Sequence, residues 1–188
     1  GELLKHLDDQ GVADNTIVLY VSDNGWIQNP DAPRYAAKSK QSQYDGGLRS
    51  PIMVRWPAQV KPRQSPHLAQ SIDFLPTVLK AVGIAAPAGL PGLNLLDDTA
   101  VAARTTLYGE CFTHNYVDIQ NPASSLKWRW IIEGDTKLIV PEKRNQPDDV
   151  VELYDLAKDP HEEKNLAGAE PAKVARLTKQ LDAWWPGK

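Results

Sequence analysis

The sequence predicts an α/β fold, in which the C-terminal part of a large mixed sheet flanked by helices is followed by a small antiparallel sheet with a packed C-terminal helix. Three observations predict it. A nearly continuous apolar run over residues 16–21 is typical of a buried parallel strand. Apolar side chains recur at helical spacing over residues 72–82. Short β-rich runs between residues 128 and 154 then precede a further amphipathic segment.

The first element is a helix at the start of the chain. Leu3, Leu4 and Leu7 form an apolar stripe at helical spacing. No capping side chain precedes them, so the sequence predicts that the helix begins upstream of Gly1 and ends near Gly11. The predicted strand over residues 16–21 follows directly.

The stretch over residues 22–44 is polar and contains Gly25 and Pro33. It predicts a long irregular loop that leaves the carboxyl end of the strand, and long loops in compact domains are often functional. A second strand is predicted over residues 52–56, where Pro57 ends it because proline cannot donate to a β-ladder.

The central helix is predicted from its apolar positions, and Gly83 closes it. Those positions are Ile72, Leu75, Val78, Leu79 and Val82. Residues 84–98 are rich in Pro, Gly and Leu and predict a loop.

The C-terminal part predicts a small antiparallel sheet and a final helix. Strands are expected at residues 107–108, 128–133, 136–140 and 151–154. The helix starts at Glu170 and Pro171 and carries an apolar face that packs on the sheet. A composition change predicts a domain boundary, with one domain over residues 1–125 and a subdomain over residues 126–188.

Composition excludes several classes of protein. The 188 residues carry a net charge of −3, which argues against a nucleic-acid binder and against a polybasic membrane-surface protein. No apolar run approaches the roughly 20 residues that span a bilayer. Cys111 is the single cysteine, so the chain predicts neither an internal disulfide nor a cysteine-based zinc cluster.

Asp23 and Asn24 carry the first sign of chemistry. They follow the carboxyl end of the predicted strand, where ligands gather in open α/β sheets, and they offer the hard oxygen donors that Ca²⁺ and Mg²⁺ prefer. The same tetrapeptide, Ser22 to Gly25, also suits an ordinary turn.

The order of motifs along the chain resembles the sulfatase family. A strand ending in Asp, Asn and Gly is followed by a lysine-containing loop and then by the aromatic, acid, Gly, Gly, x, Arg, x, Pro pattern of residues 44–51. The resemblance covers nearly the whole chain. It continues through Trp56, Pro57, Asp73, Leu75, Pro76, Thr77, the segment 152–160, Glu163, Asn165 and Leu166.

The resemblance implies site residues. Asp23 and Asn24 would be two ligands of a single divalent cation, Ca²⁺ in preference to Mg²⁺. Lys40, four residues before Tyr44, would act in catalysis by binding the substrate sulfate, with Lys38 as the competing residue. A lysine suits that role because its ammonium neutralises charge on a sulfate oxygen, although exposed loop lysines are also common in any protein.

Neighbouring residues receive lesser roles. Gly46 and Gly47 are expected to let the backbone approach the site closely, and Arg49 to anchor that turn through an ion pair. His114, which follows Glu110 after the strand at residues 107–108, lies where a related sulfatase could present a substrate-binding group. A packed or surface histidine is the competing interpretation of His114.

The nucleophile of the family is missing from these residues. Sulfatases use a formylglycine made from Cys or Ser in a Cys/Ser, x, Pro, x, Arg motif, and neither Cys111 nor any other residue here fits it. The early aspartate pair that completes the metal site in relatives is also absent. The resemblance therefore implies the C-terminal portion of a sulfuric ester hydrolase, inactive alone, with formylglycine in an N-terminal part outside this chain.

Two alternatives stay open at this level. A phosphoryl or phosphonate ester hydrolase of the same alkaline-phosphatase-like superfamily would bind similar oxygens, although such relatives tend to show His ligands where this chain has Asn24. A non-catalytic anion- or glycan-binding module is the second alternative. Expected partners are a sulfated small molecule or glycan and, through an exposed sheet edge, further copies of the chain. The resemblance suggests a periplasmic, secreted or lysosomal location.

Overall fold

The structure is a computed structural model that describes residues 1–26, 29, 31 and 35–185. The chain divides into two compact units. The first unit comprises Gly1–Asp23 and Ser50–Thr105, and the second comprises Asn24–Arg49 and Thr106–Lys188. No helix in the described part of the chain is long and apolar enough to cross a membrane.

The first unit contains three helices and a pair of strands. The helices are α1 (Glu2–Asp9), α3 (Phe74–Ala81) and α4 (Asp98–Ala103), whereas α2 belongs to the second unit. Strands β1 (Val18–Val21) and β2 (Ile52–Arg55) pair with each other. Helices α1 and α3 confirm the predicted periodicities, and α4 begins at the last residue of the predicted loop over residues 84–98.

The strand predicted over residues 16–21 is present as β1, but the expectation that it is buried and parallel to its neighbour was wrong. Strand β1 pairs antiparallel with β2, from Val18 opposite Arg55 to Val21 opposite Ile52. Tyr20 and Val21 are exposed. A short apolar run indicates a strand but carries no information on the direction of its neighbour, which is the reason for the difference.

A buried ion pair holds the entry of α3 in place. The side chain of Asp73 is inaccessible to solvent, and its carboxylate accepts hydrogen bonds from both terminal nitrogens of Arg104, at 2.6 and 2.7 Å. The same carboxylate accepts the backbone N–H groups of Gln70 and Leu93, each at 2.8 Å. Because four donors satisfy this buried carboxylate, it ties the start of α3 to two separate loops.

The second unit is a four-stranded antiparallel sheet with helices on it. Its strands are β3 (Thr106–Phe112), β4 (Leu126–Glu133), β5 (Thr136–Pro141) and β6 (Glu152–Asp155), in that spatial order. Helix α5 (Pro171–Trp184) packs on one face, and α2 (Asp45–Leu48) precedes the sheet in the chain. The predicted small sheet and final helix are confirmed, and β3 is longer than residues 107–108.

The core of this unit lies between α5 and one face of the sheet. Ile131, Leu138 and Leu153 from three adjacent strands meet Leu177 and Leu181 of the helix, and all five are essentially inaccessible to solvent. Residues at alternate positions point to the opposite face, because side chains of a strand alternate. That opposite face carries Lys137, which contacts Asp45 of α2, and Tyr154, which contacts Tyr44 just before α2.

The compact units divide the chain elsewhere than the predicted boundary at residue 125. That boundary falls between β3 and β4, which are hydrogen-bonded neighbours from Thr106 opposite Glu133 onward. The ladder keeps β3 with the C-terminal sheet, and the segment 24–49 joins the same unit.

Candidate functional site

The segment that carries Lys40 is held by a short series of backbone hydrogen bonds within the second unit. The N–H of Gly25 donates to the carbonyl of Gly47 at 2.8 Å, and the N–H of Trp26 donates to Gly46 at 2.6 Å. The N–H of Lys40 in turn donates to the carbonyl of Trp26 at 2.9 Å. The strand-end loop, the Gly-Gly turn and the Lys40 backbone therefore lie side by side.

This close approach explains the glycines of the motif. A Cβ atom on Gly25 would overlap the carbonyl oxygen of Gly46, and one on Gly47 would overlap the carbonyl of Ser39. Any larger residue would push these backbones apart. The expectation that the Gly-Gly pair permits a close backbone approach agrees with this packing.

Lys38 is fully engaged in holding the loop. Its ammonium donates to the backbone carbonyl of Glu162. The same nitrogen lies 4.6 Å from the centre of the Tyr44 ring and 5.5 Å from that of Tyr154. A cation over aromatic faces is attracted by the ring quadrupole, so these contacts fix the Lys38 side chain.

Lys40, two residues further on, has a different environment. Its half-buried side chain makes no hydrogen bond or ion pair to any residue that the structure describes. The nearest aromatic ring is that of Tyr35, with its centre 5.6 Å from the ammonium. Of the two lysines, Lys38 therefore has a hydrogen-bond acceptor and two ring contacts in the described structure, whereas Lys40 has only the contact with Tyr35.

The backbone around Lys40 is unusual. Lys38 has a φ of 55° and Gln41 a φ of 67°, both in the left-handed region that non-glycine residues rarely adopt. Each such residue costs about 1–2 kcal/mol, so the surrounding contacts must hold the conformation. Lys40 lies between the two strained positions.

A buried charge cluster lies beneath this segment. It consists of Lys137, Asp45 and Glu162, and we refer to it as the Lys137 cluster. The Lys137 ammonium lies 2.8 Å from Asp45 Oδ1 and 2.9 Å from Glu162 Oε1. Lys137 and Glu162 are 0% and 1% exposed, and Asp45 is 13% exposed. The Lys137 ammonium donates a hydrogen bond to Asp45 and forms an ion pair with Glu162, so it supplies the counter-charge of both carboxylates at a site that water hardly reaches.

Burial changes the acid–base properties of groups near the cluster. It raises the pKa of Glu162, against the opposing effect of the Lys137 ammonium. Burial and the Glu152 carboxylate both raise the pKa of the Tyr44 and Tyr154 phenols, which donate hydrogen bonds to Glu152. Both phenols therefore act as neutral donors and not as phenolates.

The two predicted metal ligands are consecutive residues at the junction of the compact units. Asp23 is exposed and ends the first segment of the first unit, and Asn24 is half-buried and begins the second. The Nδ2 atom of Asn24 donates to the carbonyl of Gly25 at 2.8 Å, which orients the amide. A carboxylate and an amide oxygen suit Ca²⁺ chemically, but a Ca²⁺ ion takes about six to eight oxygens.

Other predicted residues lie apart from these contacts. His114 is exposed just after β3, and no group of three or more Asp, Glu, His or Cys side chains suited to a metal occurs among the described residues. The side chain of Arg49 is 80% exposed, and its guanidinium is 4.0 Å from the Asp45 carboxylate, a long distance for an ion pair. The expected anchor through Arg49 is therefore weak, because Asp45 pairs more closely with Lys137.

Sequence reasoning missed Lys137 and Glu162. A lysine in the run Thr136 to Pro141 suggests a solvent-facing position of a strand, and Glu162 lies in a polar loop. The one available signal was that Leu138 and Ile139 are consecutive apolar residues. Such a pair indicates a strand covered on both faces, which would bury its lysine as well.

Comparison with known proteins identifies similar chains. The family model of N-sulphoglucosamine sulphohydrolase, C-terminal, matches residues 35–184. An N-acetylgalactosamine-6-O-sulfatase of Bacteroides thetaiotaomicron is 30% identical over 212 residues, covering 97% of this chain and 39% of that protein. Human arylsulfatase A is 30% identical over 209 residues, covering 96% of this chain and 40% of that protein.

Solved structures give the same result. A protein described in complex with its substrate D-glucosamine-2-N,6-O-disulfate aligns with a TM-score of 0.72 at 25% identity, over 100% of this chain and 37% of that one. A 2-O GAG sulfatase aligns with a TM-score of 0.74 at 26% identity, over 97% of this chain and 38% of that one. The chain thus spans about two fifths of the length of the relatives it matches.

Proposed function

The chain belongs to the sulfatase family, and we propose that it forms the C-terminal part of an enzyme that hydrolyses an organic sulfate ester and releases inorganic sulfate. The observation that carries the proposal is the contrast between the two loop lysines. Lys38 is bound to a carbonyl and to two aromatic rings, whereas Lys40 is held at its backbone and its ammonium contacts only the Tyr35 ring among the described residues.

Lys40 is proposed as the residue that binds the sulfate group. Its ammonium carries one positive charge and three donors, which suit the oxygens of a sulfate ester. As the ester bond breaks, negative charge grows on the sulfate and leaving oxygens, and a fixed cation stabilises it more than water does. Backbone fixation by Trp26 and the strained flanks keep Lys40 in place before substrate arrives.

Asp23 and Asn24 are proposed as ligands of one divalent cation, Ca²⁺ in preference to Mg²⁺. The orientation of the Asn24 amide supports this role, since its nitrogen donates to the carbonyl of Gly25 and an amide oxygen is a ligand that suits Ca²⁺. When bound, the cation and a formylglycine would supply charge stabilisation and the nucleophile. The remaining oxygen ligands and the formylglycine are proposed to come from residues outside these 188.

The substrate is proposed to be a sulfated small molecule or glycan. The names of the similar proteins support a sulfated sugar, because one acts on N-acetylgalactosamine 6-O-sulfate groups and another has a disulfated glucosamine as substrate. His114, exposed after β3, is kept as a proposed contact for such a substrate. The family resemblance favours a periplasmic, secreted or lysosomal location.

Self-association of the chain, when it is produced alone, is also proposed. Tyr20 and Met53, on the paired strands β1 and β2, are 53% and 56% exposed. Exposed apolar strands favour contact with other copies. Sedimentation velocity of the chain would detect such contact, and a single monomeric species at all concentrations would count against it.

The test of the proposed function compares the 188-residue chain with the intact protein that contains it. We expect the intact protein to hydrolyse an aryl sulfate or a sulfated glucosamine, and the isolated chain to hydrolyse neither. In the intact protein Lys40→Ala should lower kcat/KM by about 10²–10³-fold, as expected for loss of one group that stabilises developing charge. Lys80→Ala, an exposed lysine of α3, is the matched control.

Two results would overturn the proposal. Turnover by the isolated chain that Lys40→Ala abolishes would show that the chemistry needs no residues beyond it. Unchanged kcat/KM in the Lys40→Ala intact protein would remove Lys40 from the site. Calcium binding by Asp23 and Asn24 is measured separately, by calorimetry of the intact protein and its Asn24→Ala variant.

A further inference from the structure

Glu162 contacts the Lys40 segment on both sides of that lysine. Its backbone carbonyl accepts a hydrogen bond from the ammonium of Lys38, two residues before Lys40. Its side-chain Oε2 accepts the backbone N–H of Asp45 at 2.6 Å, five residues after Lys40. Glu162, which lies in the loop after β6, therefore forms hydrogen bonds with residues on both sides of Lys40.

Glu162 is itself held firmly. It is 1% exposed, and its Oε1 lies 2.9 Å from the ammonium of Lys137, a fully buried residue of an interior strand. Its φ of 56° places a third non-glycine residue of this region in the left-handed conformation. Asp159 stabilises the turn around it, accepting the N–H groups of Glu163 and Lys164 at 3.0 and 2.9 Å.

These contacts offset the strain on either side of Lys40. Lys38 and Gln41 adopt left-handed backbone conformations that an isolated loop would abandon. The Glu162 contacts restrain the first flank through Lys38 and the second flank through Asp45. With both flanks restrained, the Lys40 amide keeps its bond to Trp26.

We infer that Glu162 is a positioning residue for Lys40, which it fixes from the C-terminal sheet through Lys38 and Asp45 without touching the substrate. The inference rests on the proposed function, in which Lys40 binds the sulfate group. A displacement of about 1 Å at such a group is enough to lower a rate by on the order of 10²-fold. Glu162 thus acts on catalysis through geometry.

The competing explanation is that Glu162 only stabilises the second unit. The two explanations differ in what a mild substitution does. If Glu162 positions the loop, Glu162→Gln loosens the Lys40 segment while the sheet stays intact. If it only stabilises the fold, every amide of the unit loses protection together.

Hydrogen exchange of the 188-residue chain separates these outcomes. In Glu162→Gln we expect exchange of the Lys40 and Asp45 amides to accelerate about tenfold more than exchange of the β4 and α5 amides, which reports any general loss of stability. Glu163→Gln, an exposed neighbour, is the matched control and should change neither group. Uniform acceleration of all amides, or no change at Lys40, would overturn the inference.

Lys38→Met provides a second variant that leaves the Lys137 cluster unaltered. It removes only the contact with the Glu162 carbonyl and the two rings. The same selective acceleration at Lys40 is expected. This variant keeps the inference testable if Glu162→Gln does not fold, and an unchanged Lys40 amide in it would count against the inference.

The catalytic consequence is tested in the intact protein by a double-mutant cycle. We expect Glu162→Gln to lower kcat/KM by about 10- to 100-fold, Glu162→Asp to recover part of that loss, and Glu162→Gln to have no further effect in a Lys40→Ala background. Full additivity with Lys40→Ala would overturn the positioning role. An inactive wild-type protein would contradict the proposed function instead, and hydrogen exchange would still decide the role of Glu162.

Discussion

The ammonium of Lys137 and the carboxylate of Asp45 lie 2.8 Å apart, although 92 positions separate them in the chain. The contact joins the interior strand β5 to the first residue of α2, directly after Tyr44. Glu162 completes the group from a third segment. A single buried cation therefore connects the sheet, the Gly-Gly motif and the loop after β6.

Removal of that cation should be strongly destabilising. Lys137→Met fits the apolar volume of the lysine stem but removes the buried cation from the Asp45 and Glu162 carboxylates. We expect a loss of about 3–5 kcal/mol in the free energy of unfolding, the cost typical of breaking one side of a buried ion pair. Urea denaturation followed by circular dichroism measures it.

The control for this prediction is Lys158→Met. Lys158 also forms an ion pair, with Asp155, but its side chain is 84% exposed. Solvent screens such a pair, so the unfolding midpoint should hardly move. Equal effects of the two substitutions would show that burial of Lys137 contributes nothing to stability.

The buried Asp73–Arg104 pair leads to a second prediction, in the first unit. Asp73→Asn keeps the shape of the side chain but replaces one of its acceptor oxygens with a donor group and leaves Arg104 without a counter-charge. A loss of about 3–5 kcal/mol is expected by the same reasoning. Asp98→Asn, at an exposed pair with Arg63, is the matched substitution and should leave the urea midpoint almost unchanged.

Acid should weaken the same contact. Burial raises the pKa of Asp73, but hydrogen bonds from Arg104, Gln70 and Leu93 outweigh it, so the pKa lies below its ordinary value. A carboxyl with a lowered folded-state pKa contributes stability above its unfolded pKa of about 3.9, and this is lost as the pH falls through the folded value.

The measurement is the free energy of unfolding as a function of pH for the wild type and Asp73→Asn. The difference between the two proteins should be constant near neutral pH and should shrink progressively below about pH 4. A difference that grows on acidification would contradict the direction of the pKa shift. Asp98→Asn again supplies the exposed comparison.

Local patterns predicted the elements of this fold better than their contacts. The stripes that form α1, α3 and α5 and the runs that form β2 and β4 to β6 lie close to the expected residues, because periodicity depends only on neighbours in sequence. The direction of β1 depended on a partner more than 30 residues away. Such long-range pairing leaves no mark on the apolar run itself.

The candidate site shows the same division. The spacing to Tyr44 favoured Lys40 over Lys38, but it gave no sign that Tyr154 and Glu162 approach Lys38. Glu162 and its exposed neighbour Glu163 are chemically identical in sequence. Only the tertiary structure shows which one is buried.

Cys111 should react slowly with alkylating reagents. Burial raises the pKa of its thiol to about 11, partly opposed by the Lys137 ammonium. Because of this raised pKa, the thiolate fraction at pH 8 would be roughly 100-fold lower than that of an ordinary thiol. Alkylation should slow to the same extent, since the thiolate is the reactive species. The rate with iodoacetamide should keep rising with pH up to about pH 11, where an ordinary thiol has already levelled off.

Unfolding in urea gives the internal control for that measurement. The released Cys111 should react at the rate of a small-molecule thiol, since the surrounding structure is then absent. Rapid reaction of the folded chain at pH 8 would mean that the Cys111 thiol is not buried and that its pKa is not raised. Lys137→Met should slow the folded-state reaction further, as loss of a nearby cation disfavours the thiolate.

Substitution of Lys38 should mainly lower the stability of the fold, whereas substitution of Lys40 should mainly lower the activity of the intact protein. Lys38→Met removes a charged hydrogen bond and two ring contacts, so we expect a loss of about 1–3 kcal/mol in the free energy of unfolding. Lys40→Met removes no hydrogen bond or ion pair with a described residue and keeps an apolar stem, so the unfolding free energy should change little. In the intact protein the order of effects on kcat/KM should reverse, with Lys40→Met the more damaging. Substitutions that changed stability and kcat/KM in the same ratio at both positions would contradict the division of roles. In that division Lys38, bound to Glu162 and lying over two rings, stabilises the fold, whereas the proposed role of Lys40 is to bind the sulfate group.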